Sequence, residues 1–361
     1  MTNAIMKVAS VVSLGQIMIT EKPIPACPPD SMLVQVESCA ICGSDLRIYK
    51  KGDARARYPI VIGHEIAGTI RELGREVWGY QVGERVCIAP GHGCGECKYC
   101  LSGHSNVCIH PRPSIGYASD GGFAQYMVPP ANVVKLGFVN AIPDGLSFDH
   151  ASLSEIIACC LNAQENCPVN QGDVVLIIGA GPAGCVHAIL SKMKGAEKVL
   201  MTQRTLPRLQ MASERLQVID RIIASEKENL NEVVKGETGG LGADVIYVCA
   251  PSPEAQAQAF DLAAPRGRIN FFGGLPKEHS FLTLNANTIH YLELFISGAS
   301  SSLARQNREA LELLASGQID AEGIITHRFP LEDISRGLRV VEDRTGIKVV
   351  IKPHLSSKEP G

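Results

Sequence analysis

From Asp173 to Phe272 the chain alternates short apolar runs with helical patterns, and this rhythm constrains its fold more than any other feature. Asp173–Ile178 is a continuous apolar run, as expected of a strand buried on both faces of a parallel sheet. A helix is expected over Pro182–Lys194, then a strand over Lys198–Thr202 and a helix over Leu206–Leu216. The series continues with strand Asp220–Ala224, helix Glu226–Lys235, strand Asp244–Cys249, helix Pro253–Ala263 and strand Arg268–Phe272. Such alternation reads as a doubly wound α/β domain.

The flanks read differently. The first 150 or so residues are dense in Gly, Pro and Cys, and short apolar runs stand between turns. Lys7–Gly15 and Gln16–Thr20 read as paired strands, and Met32–Glu37, Glu65–Leu73 and Glu84–Ile88 as further strands. The last stretch, from about 299, holds helices Leu303–Ala315 and Leu331–Val341 and strand Ile347–Ile351, with no partner of its own. It is expected to return to the first domain, and the tail Ser356–Gly361 to be disordered.

Composition excludes several functions. With 361 residues and a net charge of −3, the chain offers no basic field to draw in nucleic acid or an anionic membrane. No apolar run approaches the length of a spanning helix. The apolar stretch Val8–Val12 follows a single lysine and precedes no cleavage site, so it reads as a strand rather than a signal. Thirteen cysteines in a long chain without an export signal point to metal ligands or buried thiols in a cytoplasmic protein, not to a disulfide scaffold.

Two cysteine signals carry chemistry. Cys94, Cys97, Cys100 and Cys108 form C-x2-C-x2-C-x7-C, and four thiolates close a tetrahedron around zinc with no position left for substrate. An iron–sulfur centre is the alternative, but the fourth cysteine is distant for that and no proline follows it. Elsewhere, Cys42-Gly43-Ser44-Asp45 follows a strand, and Gly63-His64-Glu65 follows a proline-flanked turn. One thiolate, one imidazole and a carboxylate make the open, mixed ligand set of a catalytic zinc.

Gly179-Ala180-Gly181-Pro182-Ala183-Gly184 is a G-x-G-x-x-G that ends a buried strand and opens a helix, the context a dinucleotide-binding turn requires. The acid expected some twenty residues on, which would bind the ribose 2′-hydroxyl, is missing. The second strand ends in Gln203-Arg204, and Arg208 follows. Those arginines suit a 2′-phosphate, so the balance favours NADP. Two solvated arginines and NAD are the alternative.

These motifs occur in order along nearly the whole chain, joined by Gly121-Gly122-Phe123-Ala124-Gln125-Tyr126 and Phe271-Phe272-Gly273-Gly274. In that combination the chain resembles the zinc-dependent medium-chain dehydrogenase/reductase superfamily, and within it the sorbitol (polyol) and threonine dehydrogenase branch. The resemblance implies a GroES-like β-barrel catalytic domain over 1–154 and 299–361, with a zinc lobe near 90–112. It implies a Rossmann NAD(P)-binding domain over 155–298, where Gly273 and Gly274 join the cofactor residues.

Carried over residue by residue, Cys42 and His64 would bind catalytic zinc, with Glu65 a direct or exchanging ligand. Glu155 would be a further carboxylate, reached directly or through water, although Ile156 stands where the family has proline. Asp45 would accept a hydrogen bond from His64. Ser44 would accept the proton of a secondary alcohol whose hydride passes to the nicotinamide. Arg47 stands where the family often has a relay histidine. Arginine is a poor relay, so the proton would leave through water or Arg47 would hold an anion. Lys348 matches a position near the cofactor phosphates.

The resemblance implies two zinc ions per chain, a small alcohol or ketone substrate that is polyol or sugar-derived, phosphorylated or acidic forms included, and a homodimer or homotetramer. A threonine-type amino-alcohol dehydrogenase is the runner-up, and a non-catalytic NAD(P)-binding scaffold a remote third.

Overall fold

The computed structural model describes residues 4–355, so the tail 356–361 lies outside the described residues. The chain divides into two compact units, Met1–Ala158 with Ser302–Gly361, and Cys159–Ser301.

The discontinuous unit is built on antiparallel strands. Its larger sheet runs Ile325–Pro330, Lys348–Lys352, Met32–Ala40, Glu65–Leu73, Arg85–Ile88, Val139–Ala141, and Tyr126–Met127 also pairs with Met32–Ala40. A smaller sheet orders Gln16–Pro23, Ile5–Ser13 and Ile60–Val61. This is the GroES-like barrel. Val34, Val36, Ile66, Ile70, Val86 and Ile88 are fully buried in its core. C-terminal Ile351 pairs with Cys39, and Val350 with Ala40. The stretch that lacked a partner in the sequence therefore completes this sheet.

The second unit holds a six-stranded parallel sheet in the order Arg221–Ala224, Lys198–Gln203, Val174–Ile178, Ala243–Val248, Ala263–Phe271, Phe295–Gly298. This is the Rossmann order, whose direction reverses between Val174–Ile178 and Ala243–Val248. Val175, Leu176 and Ile177 are fully buried, as helices on both faces require.

Several helices escaped the sequence reading, among them Gly43–Lys51, Ala131–Lys135, Ala286–Leu292 and Ser154–Asn166. Ser154–Asn166 carries Glu155, and the domain boundary expected at 154/155 falls inside it. Ile157, Ala158, Cys160 and Ala163 are all fully buried, so the helix has no single apolar stripe to betray it.

Candidate metal and dinucleotide sites

Sheet register assembles the first site. Ala40 faces Glu65 on one side and Val350 on the other. Cys42, two residues past Ala40, therefore arrives beside His64 and Glu65 from one neighbouring strand and Lys348 from the other. The thiolate, imidazole and carboxylate ligand atoms of Cys42, His64 and Glu65 lie within 4.8 Å of one another. His64 and Glu65 are buried. Gly63 makes the turn before them: its φ of +95° favours glycine, and a Cβ there would stand 2.8 Å from the Cys39 sulfur.

Asp45 ties the two ligand segments together. It is fully buried on the helix Gly43–Lys51, and its Oδ2 accepts the Cys42 N–H at 2.8 Å while Oδ1 accepts the Gly63 N–H at 3.1 Å. The expected hydrogen bond from His64 is not formed. His64 Nδ1 stands 3.4 Å from Oδ1 and has no hydrogen-bond partner, because the carboxylate is aligned on the backbone amides instead. Asp45 thus positions the ligands through their main chain.

Lys348 corrects a second expectation. Its ammonium is buried and grips both oxygens of Glu65, at 2.6 and 2.5 Å, so it is not presented to cofactor phosphates. Burial disfavours the lysine's charge, but Glu65, Cys42 and Glu155 offset this and hold its pKa above the ordinary lysine value. Burial raises the Glu65 carboxyl, Lys348 opposes that, and Glu155 adds to it. Glu155 is therefore close enough to be felt, though it is outside the three-residue ligand cluster.

Ser44, two residues past Cys42, presents a buried hydroxyl toward Tyr117. Arg47 pairs with Asp53 at 2.9 Å and is half exposed, so it extends no relay from the cluster. Sequence reasoning missed Tyr117, whose ring centroid lies 5.3 Å from that of His64. It stands on a loop between Ser114 and Asp120 that carries no periodic signal.

The four-cysteine loop forms a second cluster with all ligand atoms within 4.8 Å. The Cys94–Cys100 and Cys97–Cys108 sulfur pairs are each 3.8 Å apart. A tetrahedron with zinc–sulfur bonds of about 2.3 Å has edges of about 3.8 Å, so the sulfurs fit that ion. Backbone N–H groups of Cys94 and His110 donate to Cys108 Sγ, and that of Cys97 to Cys94 Sγ, each at 3.3 Å. Amide donors from Cys100 and Ile109 bring the Cys97 thiol down to about 6, which favours the thiolate a metal needs.

In the other unit, Gly181 caps the helix Pro182–Met193 and Pro182 opens it. A Cβ on Gly184 would meet the Gly179 carbonyl at 1.9 Å, so only glycine allows this helix to start so close to its strand. As at any helix N-terminus, the N–H groups of Ala183 and Gly184 have no partner within the helix. The strand Lys198–Gln203 ends beside this turn, where Gln203 Oε1 accepts the Ala180 N–H at 3.3 Å. The Arg208 guanidinium lies within 3.8–4.0 Å of where a Gly181 Cβ would be. Arg204 faces outward and pairs with Glu226 at 3.4 Å. Gly273 and Gly274 follow the strand Ala263–Phe271, the former packed on Cys249 and Ala250.

Known proteins share this arrangement. Residues 28–138 match the family model for the alcohol dehydrogenase GroES-like domain, and residues 182–316 match that for zinc-binding dehydrogenases. Sorbitol dehydrogenase of Bacillus subtilis is 30% identical over 358 residues, covering 97% of this chain and 98% of that one. L-threonine 3-dehydrogenase of the same organism is 30% identical over 339 residues, 93% and 94% of the two chains. Among solved structures, a zinc-binding dehydrogenase from Sinorhizobium meliloti bound to NADP superposes with a TM-score of 0.88 at 29% identity, covering 97% and 100%. An alcohol dehydrogenase from E. coli complexed with NADH gives 0.86 at 30%, covering 97% and 99%. With such relatives along its whole length, this chain belongs to the zinc-dependent medium-chain dehydrogenase/reductase superfamily, in the sorbitol and threonine dehydrogenase-like branch, as a zinc-dependent alcohol dehydrogenase.

Proposed function

We propose that the enzyme oxidises a secondary alcohol of the polyol or sugar-derived class to the ketone, with preference for NADP. The observation that carries this reading is the Cys42–His64–Glu65 cluster, with His64 and Glu65 buried, and the Ser44 hydroxyl two residues from Cys42 on the same helix start. Zinc held by Cys42 and His64 would supply a Lewis acid that lowers the alcohol pKa, and bound nicotinamide would supply the hydride acceptor. The substrate loses a proton from oxygen and a hydride from carbon. Ser44 Oγ accepts that proton. Arg47 is engaged with Asp53 and a guanidinium is a poor relay, so the proton leaves through water. Asp45 keeps the segments of Cys42 and His64 in register. Glu65 stands as an exchanging ligand, held back by Lys348. Glu155 acts through water. Cys94, Cys97, Cys100 and Cys108 hold a second, structural zinc.

The cofactor preference rests on Gln203 replacing an acid and on Arg208 lying over the glycine turn, where it can meet a 2′-phosphate. A threonine-type substrate is the second reading, favoured by a threonine dehydrogenase relative as similar as the sorbitol one. All 13 cysteines are free, which fits a reducing cytoplasm. Among the described residues no helix is long and apolar enough to cross a membrane. The edge strand Phe295–Gly298 pairs on one side only, and Tyr291, Phe295 and Ile296 are exposed there, which favours a homodimer or homotetramer through this edge. Initial rates over polyols, sugar derivatives and threonine, with NAD⁺ and NADP⁺, test the reading. Turnover of none of them overturns it.

A further inference from the structure

We propose that Arg55 binds an anionic group of the substrate, so that the reacting hydroxyl sits on a short chain that also bears a carboxylate or a phosphate. This rests on the assignment of Cys42 and His64 as the reaction centre. The Arg55 Cζ lies 4.1 Å over the Tyr117 ring, and that ring lies 5.3 Å from the His64 ring. The guanidinium carbon is therefore at most about 9.4 Å from the centre of the His64 imidazole.

It is held there from two sides. Tyr117 supports its face, and Asp53 takes its Nε at 2.8 Å and Nη2 at 2.9 Å. Asp53 also accepts the Arg55 N–H at 3.0 Å, and its side chain is only 7% exposed. A solvated surface arginine needs neither restraint. Pinning a planar guanidinium in advance removes the ordering cost that a ligand would otherwise meet.

The charges do not cancel. Asp53 serves Arg47 as well as Arg55, so two cations share one carboxylate and one positive charge remains. Nη1 of Arg55 has no partner among the described residues, because Asp53 occupies only the Nε–Nη2 edge. A free, oriented donor carrying unanswered positive charge suits a carboxylate or phosphate oxygen. A neutral polyol leaves it unanswered.

The test compares kcat/KM for matched alcohols: a polyol, the corresponding sugar acid and the corresponding sugar phosphate. We expect at least one anionic substrate to exceed the neutral one by about tenfold or more, and the better anion identifies the group. Arg55→Gln should lower the anion-to-neutral ratio by roughly ten- to a hundredfold, chiefly through KM. Arg57→Gln makes the same charge change at an exposed position two residues on and should leave the ratio within about twofold.

Equal or better use of the neutral polyol overturns the proposal and leaves the proposed reaction standing. So does an equal effect of the two substitutions, which would mean a general field rather than a contact. If no alcohol is turned over, the proposed reaction fails, and the anion site is read by calorimetry with glycerol phosphate and glycerate. Binding weakened about tenfold in Arg55→Gln supports the site, and equal binding overturns it.

Discussion

Replacing Lys348 with methionine should loosen the barrel sheet at its metal-bearing end. The ammonium and the Glu65 carboxylate are 1% and 0% exposed, so neither has water to replace a lost partner. Removing one member of such a pair leaves a buried charge, at a cost of about 3–5 kcal/mol. At 1.36 kcal/mol per factor of ten, that is roughly two to three and a half orders of magnitude in an opening equilibrium. Global unfolding of two units is a poor gauge, because two-state behaviour is not assured. Amide hydrogen exchange over Met32–Ala40 and Glu65–Leu73, in the zinc-loaded enzyme, reads the local free energy directly. We expect exchange there to accelerate by at least about a hundredfold, with little change over Val174–Ile178 in the other unit. The double variant Glu65→Gln with Lys348→Met removes both charges and should recover much of the protection, since a pair replaced whole costs far less than a pair broken. Acceleration below about tenfold in Lys348→Met, or a double variant worse than the single one, would refute the buried pair.

Three further outcomes follow from the geometry. His187 is fully buried, stacks on Tyr247 at 4.1 Å between ring centroids, and has its pKa pushed down to about 3 by burial and then by Lys194. Between that value and the ordinary histidine pKa of about 6.5 the unfolded chain binds the extra proton. Its stabilising contribution is then complete above 6.5 and declines as pH falls, by up to about 1.4 kcal/mol per pH unit. His187→Phe should flatten the acid dependence of exchange over Val174–Ile178 between pH 6 and pH 4, and an unchanged slope would count against a neutral buried imidazole. Arg208→Ala should raise KM for NADP⁺ by roughly tenfold and change that for NAD⁺ far less; steady-state rates with both cofactors decide this, and equal shifts would refute contact with a 2′-phosphate. Cys100→Ser should remove about one zinc per chain by metal analysis and lower the thermal midpoint, because the closed four-sulfur site contributes folding energy; unchanged metal content would contradict it.

Much of this molecule is legible in its sequence because local patterns state it. Glu65–Leu73 and Leu206–Leu216 stand at the ends expected of them, one an apolar run buried over most of its length and the other amphipathic between a Thr cap and a polar turn. The glycine turn is legible because each glycine has a steric reason, plainest at Gly184. What escaped detection depends on register or on loops. Lys348 and Glu65 are 283 residues apart, and only the pairing of Ala40 with both neighbouring strands brings them together. Asp45 offers a carboxylate at the right place, but its choice of amides over the imidazole is a matter of side-chain angle that spacing does not encode. The trio Asp53, Arg55 and Tyr117 lies on two irregular loops, where no periodicity marks which side chains meet. The buried helix Ser154–Asn166 hid for the opposite reason, since its burial on several sides leaves no polar face to set its period.

The most direct measurement is zinc content together with NAD(P)H formation in wild type and Cys42→Ser, on the best alcohol found. The two clusters predict about two zinc ions per chain in wild type and about one in the variant, since three-ligand and four-sulfur sites bind independently. Turnover should fall by at least about a thousandfold, as expected when the group that stabilises the developing charge is lost. Wild-type turnover in a Cys42→Ser enzyme that has lost a zinc would contradict the assignment of that cluster as the seat of the reaction.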